Sequence, residues 1–213
     1  MIEPSHLTDT RESYDVVARD YADVVPERFA KDPFGRAMIA AFAEVVRGSV
    51  ADLGCGPGQV TAHLAALGLD AFGLDLSPRM VAVAKERYPR LRFAVGSMTG
   101  LALADGALGG LVAWWSIVHT PPAELPVVFA EFHRVLAPGG YALVGFHAGD
   151  RHRRPEHAYG HPVRLDVYRF PPDRVAALLE DAGLTVTARL TTEGESAPQA
   201  CLLARKSHPA THR

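Results

Sequence analysis

The chain has 213 residues, of which 48 % are hydrophobic and 22 % charged, with a formal net charge of −2. That is the size and composition of one ordinary globular domain, not of a disordered or fibrous chain, and the slight negative balance excludes a strongly basic nucleic-acid binder, so no nucleic-acid partner is expected. No apolar run approaches the roughly 20 residues of a membrane span, and Met1 to Thr10 lacks the basic and apolar regions of a signal peptide, so a cytoplasmic protein without membrane contact is expected. Cys55 and Cys201 belong to no CxxC or Cys/His pattern, which predicts neither a disulfide framework nor a metal site.

The predicted elements alternate between helix and strand. Glu12 to Val25 carries Tyr14, Val17, Ala18 and Tyr21 at helical spacing. Pro33 opens a second helix through Met38, Ile39, Phe42, Val45 and Val46, ending at Gly48. Residues 1–48 are expected to form a helical arm that acts as a lid, with the Lys31 to Arg36 loop between its two helices a further candidate to close over a site. Ser49 to Leu53 is a strand, Gly54 to Gly58 a tight turn, and Gln59 to Ala66 a helix with Val60, Leu64 and Leu67 inward. Asp70 to Asp75 is the second strand. Ser77 caps a helix from Pro78 to Arg87. Leu91 to Val95 and Leu111 to Trp115 are strands three and four. A helix follows over Glu124 to Leu136, stopped by Pro138-Gly139-Gly140. Tyr141 to Phe146 is the fifth strand, nearly continuously apolar as a doubly covered strand is. Gly149 to Gly160 reads as a polar loop, Pro172 to Ala182 as a helix with Val175, Leu178 and Leu179 inward, and Thr185 to Leu190 and Ala200 to Ala204 as two closing strands. Residues 49–206 form the expected core and 207–213 an expected disordered tail. Strands alternating with helices predict an α/β sheet of mainly parallel strands.

The chemistry gathers at two places. Val50 to Gln59 reads V-A-D-L-G-C-G-P-G-Q, with three glycines between a strand and a helix. Such a turn lets the backbone approach a ligand and aims helix N-terminal N–H groups at it. Asp75 ends the next strand about 20 residues on, where a carboxylate can take both ribose hydroxyls of a nucleoside. The spacing G-x-G-x-G differs from the dinucleotide G-x-G-x-x-G, and Asp52 precedes it. A second carboxylate is a poor neighbour for a pyrophosphate and a good one for a cationic amino-acid tail.

These motifs, D-L-G-C-G-P-G followed by G-L-D-L-S-P-R-M, resemble the class I S-adenosylmethionine (SAM)-dependent methyltransferases of small-molecule type, over roughly Tyr14 to Lys206. The resemblance implies a three-layer, doubly wound Rossmann-like sheet of seven strands in order 3-2-1-4-5-7-6, strand 7 antiparallel. It implies SAM as cofactor, S-adenosylhomocysteine as product and a small-molecule methyl acceptor. Asp52, Gly54, Cys55 and Gly56 would then line the methionine moiety, Asp75 hold the ribose, and Leu76 and Met80 pack on adenine. Ser97, with Met98 after it, stands where the family often has an Asp that accepts from the adenine amino group. Tyr14 and Tyr21, in Y-D-x-V-A-x-x-Y, are candidates to close over the cofactor, and Trp115 to border it.

Methyl transfer needs alignment and desolvation first, and a base only when the acceptor must lose a proton. His119, after the fourth strand in W-W-S-I-V-H-T-P-P, is the candidate base. Trp114 with Trp115 offers a flat wall for the acceptor, and His147 and Tyr159 are further candidates to meet it. The alternatives are a SAM-binding protein without catalysis and, disfavoured by the glycine spacing, an NAD(P)-dependent oxidoreductase. The acceptor atom (O, N or C) and the oligomeric state stay open.

Overall fold

The computed structural model describes residues 4–194 and 197–207. Six helices, α1 (Ser5–Ala30), α2 (Pro33–Val45), α3 (Gln59–Ala66), α4 (Pro78–Arg87), α5 (Leu125–Val135) and α6 (Pro172–Asp181), surround a seven-stranded sheet. Its strands are β1 (Val50–Leu53), β2 (Ala71–Asp75), β3 (Arg92–Val95), β4 (Leu108–Trp114), β5 (Leu136–His147), β10 (Leu184–Thr192) and β11 (Gln199–Lys206). Four short strands lie between β5 and α6: β6 (Arg151–Arg153), β7 (His157–Ala158), β8 (His161–Pro162) and β9 (Val167–Arg169). The sheet order is β3-β2-β1-β4-β5-β11-β10. Pairing is parallel except at β11, which runs antiparallel to both β5 and β10. Counting main-sheet strands alone, this is 3-2-1-4-5-7-6 with the seventh reversed, as the family resemblance implied.

The central strands show how the sequence makes three layers. In β4, Leu111 and Ala113 face one cluster while Val112 and Trp114 face another; in β5, Ala142, Val144 and Phe146 oppose Leu143. Successive side chains leave a strand on opposite faces, so an apolar run feeds two cores. One face packs α5 and α6, with Phe129, Phe132 and Phe146 fully buried. The other packs α2 and α3 through Ile39, Phe42, Val60 and Leu64. Burying each such side chain contributes about 1.5–3 kcal/mol. Helix α1 lies apart and packs Val17, Ala18 and Ala22 on Met80 and Val83 of α4. Among the described residues no helix is long and apolar enough to cross a membrane.

Several expectations need correction. Helix α1 begins at Ser5, seven residues before the expected start, because Pro4 precedes it without any side-chain cap to announce it. Only Lys31 and Asp32 separate α1 from α2; Pro33 to Arg36 form the first turn of α2, capped by Asp32 accepting from the Gly35 N–H at 2.8 Å. Leu67 is 41 % exposed rather than inward, since α3 ends at Ala66. Leu136 is already extended, and Pro138-Gly139-Gly140 lies inside β5 at a register irregularity instead of closing the helix. The segment after β5 is not a plain loop. β6 pairs with β9, and β7 with β8 across Tyr159-Gly160, both at positive φ, the geometry of a tight hairpin turn. Most of the expected tail, from residue 208, lies outside the described residues.

Candidate cofactor and acceptor site

The order of strands reverses direction between β1 and β4, and open α/β sheets bind ligands at the carboxyl edge of such a switch point. A cavity lies there, about 810 Å³ when the space open to solvent is counted with it. Its floor is the glycine turn, its walls the ends of β2, β3 and β4, and its roof α1.

The turn has its shape because Gly54, Gly56 and Gly58 adopt φ of 71°, 51° and 86°, a region that costs other L-residues about 1–2 kcal/mol. Gly54 has a second reason to be glycine. A Cβ there would stand 2.3 Å from Cβ of Ser116. Asp75 is held from both sides, accepting from the Gly56 N–H at 2.7 Å and the Ser77 N–H at 2.8 Å. Ser77 in turn caps α4 through the Met80 N–H and donates to Asp15 of α1 at 2.6 Å. Asp52 is buried beneath the turn, where Thr61 of α3 donates its hydroxyl at 2.7 Å. Burial raises the Asp52 carboxyl to about 7, and burial raises Asp75 to about 6. The buried Asp52 and the half-buried Asp75 together favour a cationic ligand.

Tyr14, Tyr21, Gly54, Gly56, Asp75, Leu76, Ser97, Met98, Trp114, Trp115 and His119 all border the cavity. Tyr21 stands 3.6 Å from where a Gly56 Cβ would sit, and edge-on to Tyr14. Ser97 Oγ pairs with Thr99 Oγ1 at 2.8 Å. Trp114 is nearly buried and fills space left by the absent side chains of Gly35 and Gly145. Trp115 holds φ of 57°, unusual for so large a residue, and stacks on His147 at 5.1 Å. Five candidates lie off the cavity wall. Asp52 is beneath it. Cys55 packs with Val81, Ala84 and Phe93, and Met80 is fully buried under α1. His147 lies behind Trp115, and Tyr159 contacts Tyr21 edge-on and the Arg28 guanidinium.

The most specific polar geometry is at His119. Its Nδ1 lies 2.8 Å from the carbonyl oxygen of Asp166, and its Nε2 2.7 Å from the hydroxyl of Tyr14. A carbonyl only accepts, so Nδ1 carries the proton and donates; Nε2 then accepts from the Tyr14 O–H. Burial lowers the His119 pKa and raises that of Tyr14. Both are neutral near pH 7, with a proton-accepting nitrogen behind a phenol that faces the cavity.

Several wall residues escaped the sequence reading: His6, Leu7, Thr10 and Arg11 on the first turns of α1, and Thr99, Ser116 and Thr120. The Ser116 hydroxyl is buried without a hydrogen-bond partner. A signal existed for the first group. His6, Thr10, Tyr14, Val17, Ala18 and Tyr21 follow one helical face. Thr61 and Asp166 had none, since their roles depend on contacts across the chain. Among the described residues no three His, Cys, Asp or Glu side chains gather as a metal-binding group.

The residues fit SAM. The cradle excludes a Cβ at Gly54, the buried Asp52 and half-buried Asp75 suit its charge, and the partnerless Ser116 hydroxyl lies beside the turn. A family model described as a methyltransferase domain matches residues 50–140. An uncharacterized methyltransferase of Synechocystis sp. is 30 % identical over 179 residues, covering 80 % of each chain. A demethylmenaquinone methyltransferase of Chlorobaculum parvum is 33 % identical over 96 residues; that match spans 45 % of this chain and only 39 % of the relative. In structure, the Burkholderia thailandensis 1,6-didemethyltoxoflavin-N1-methyltransferase, solved with 1,6-didemethyltoxoflavin and S-adenosylhomocysteine, superposes with TM-score 0.74 at 21 % identity, covering 97 % of this chain and 92 % of that one. The chain therefore belongs to the class I SAM-dependent methyltransferases, and its cofactor is SAM.

Proposed function

We propose that the chain methylates an O, N or C nucleophile of a small molecule in the cavity under α1, and that Tyr14 and His119 handle the proton of that nucleophile. The observation that carries this reading is the Tyr14–His119 pair, 2.7 Å apart, on the wall of the cavity that also contains the glycine turn and Asp75. Bound SAM supplies an electrophilic methyl group with an excellent leaving group. The chain's residues do the rest. Gly54 and Gly56 bring backbone against the methionine part, with the Asp52 charge beneath them and Cys55 contributing backbone. Asp75 orients the ribose. Leu76, Ser97 and Met98 hold the adenine, with Met80 supporting them from below. Trp115 borders the cofactor.

The acceptor's X–H group donates to the Tyr14 oxygen. As the carbon–X bond forms, that proton passes to the Tyr14 oxygen while the tyrosine's own proton moves to His119 Nε2. The methyl–sulfur bond breaks as the methyl–X bond forms, so the products would be methylated acceptor, S-adenosylhomocysteine, neutral Tyr14 and an imidazolium whose Nδ1–H still rests on the Asp166 carbonyl. Burial disfavours that imidazolium, so the pair suits acceptors that become acidic as methylation proceeds. Trp115, stacked on His147, gives the acceptor an aromatic face, while Trp114 stands edge-on to it at 67° and so does not extend it into the flat wall expected from the sequence; Tyr159 buttresses Tyr21. Helix α1 alone acts as the arm and roof of the site, while α2 packs on the sheet. A small acceptor suits the cavity under α1 and parallels the small molecule bound in the Burkholderia enzyme.

The test is transfer of labelled methyl from SAM by the purified chain to the components of a heat-treated cell extract, whose low- and high-molecular-weight fractions are separated afterwards. Label should enter low-molecular-weight product, and His119→Ala should lower its rate about 100-fold or more while S-adenosylhomocysteine binding is kept. Label confined to macromolecules would sink the small-molecule reading, and near-normal turnover by His119→Ala would remove the base.

A further inference from the structure

The ribbon formed by β6 and β9 adds nothing to the cavity wall, yet it reaches His119. Asp166 immediately precedes β9. Its backbone carbonyl takes the His119 Nδ1–H at 2.8 Å. Its side-chain Oδ1 lies 2.6 Å from Nε2 of His152, in the middle of β6. The His152 ring stacks on Tyr168 at 4.5 Å and 11° from parallel, and Tyr168 stacks in turn against Phe170. Phe170 is 2 % exposed and packs against Phe146 of β5. A continuous set of contacts thus runs from the central sheet through the ribbon to one carbonyl and the imidazole it orients.

We infer that Asp166 and His152 are positioning residues: the Asp166 side chain, clamped by His152, fixes the Asp166 carbonyl so that His119 is held in the Nδ1-protonated tautomer with Nε2 open to Tyr14. Which ring nitrogen carries the proton is decided by the hydrogen bond the other groups offer it, and a carbonyl on an unclamped segment offers a poor one. The clamp is half exposed, with side-chain accessibilities of 50 % for His152 and 18 % for Asp166. Such a pair is weak as a source of stability; its consequence is geometric. The groups facing His119 are Tyr14 from α1, His147 from β5 and Asp166 itself. Of these only the Asp166 carbonyl bonds Nδ1.

The inference rests on the His119 role proposed above, but its test needs no acceptor. The full chain, labelled with 15N-histidine, is read by long-range 1H–15N NMR at pH 7.5, with the His119 signals assigned by their loss in His119→Gln. The wild type should show His119 as the Nδ1–H tautomer alone. Asp166→Ala and His152→Ala should each shift the tautomer ratio about tenfold, the effect of losing one hydrogen bond. Asp166→Asn, which can still accept from His152, should keep the wild-type pattern, as should Arg151→Ala on the same strand. His152→Phe, which preserves the stack on Tyr168 and removes only the clamp, should behave as His152→Ala and guards against a collapsed ribbon. An unchanged tautomer in Asp166→Ala and His152→Phe would overturn the inference. So would an equal change in Asp166→Asn. Failure of His119→Ala to slow methyl transfer would instead sink the proposed function and leave this NMR result standing.

Discussion

Gly54 shows how tightly single residues control the site. Alanine there meets both a left-handed φ and the Ser116 side chain at 2.3 Å, so either the turn or the end of β4 must move. Gly54→Ala should fold, with a cost of about 1–3 kcal/mol, and should lose SAM binding in calorimetric titration; undiminished binding would show that the turn does not cradle the ligand. Asp52 supports a second prediction. Its folded value, about 7, lies above that of an unfolded aspartate. The native state therefore holds the extra proton, and stability falls as pH rises from the unfolded value through about 7. Asp52→Asn keeps an acceptor for Thr61 and removes the buried charge. It should raise unliganded stability at pH 8, on the order of 2–4 kcal/mol, and leave it nearly unchanged at pH 4. Equal effects at both values would contradict the assignment. Asp75, also raised, to about 6, adds to the same trend. A cationic ligand draws both carboxyls to their charged forms, so SAM binding should tighten from pH 5.5 to 8 and release protons near pH 6–7. Titration in two buffers of different ionisation enthalpy reads that release, and pH-independent binding without it would refute the pairing.

At the scale of elements, legibility followed how local the cause was. α4 was readable to its ends because Ser77 caps it and Pro78 starts it, both within four residues of sequence. The glycine turn and Asp75 were readable because a motif and a strand end are adjacent in the chain. The early start of α1 was not, since Pro4 makes no side-chain cap. That error hid His6, Leu7, Thr10 and Arg11 from the site. The β6–β9 ribbon was hidden for another reason. Arg151-His152-Arg153 is polar on both faces and lacks alternation, and its partner lies 14 residues further on. The Tyr159-Gly160 hairpin uses no Asn-Gly or Asp-Gly signal. Tyr14 and His119 could be listed separately as candidates, but their contact joins residues 105 apart and only the fold reveals it. One element outside the site is as dependent on long-range contacts. Arg134 of α5 donates to the carbonyls of Leu101 and Leu103 and to Asp105 and Glu131, while Glu131 accepts from the Leu101 N–H. This fork fastens the segment between β3 and β4. Arg134→Lys keeps the charge and loses the fork, so it should lower Tm and speed proteolytic cleavage between residues 99 and 107; unchanged cleavage would show the segment is held by packing alone.

Across the whole molecule, α1 roofs the site and the segment after β5 holds α1 in place. Arg154 and Arg164 pair with Asp9, Arg164 also with Glu12, and His161 with Asp20, so the roof of the cavity is fastened to the same segment that supplies Asp166. The sheet provides the switch point, and α1 covers it. The central claim is that this cavity is a SAM site built on the glycine turn, and calorimetric titration of the purified chain with SAM, S-adenosylhomocysteine and NAD tests it most directly, with Gly54→Ala in parallel. If so, the wild type binds both adenosyl ligands at micromolar concentration and does not bind NAD, and Gly54→Ala loses binding. Binding of NAD alone, or binding of SAM undiminished by Gly54→Ala, would contradict it.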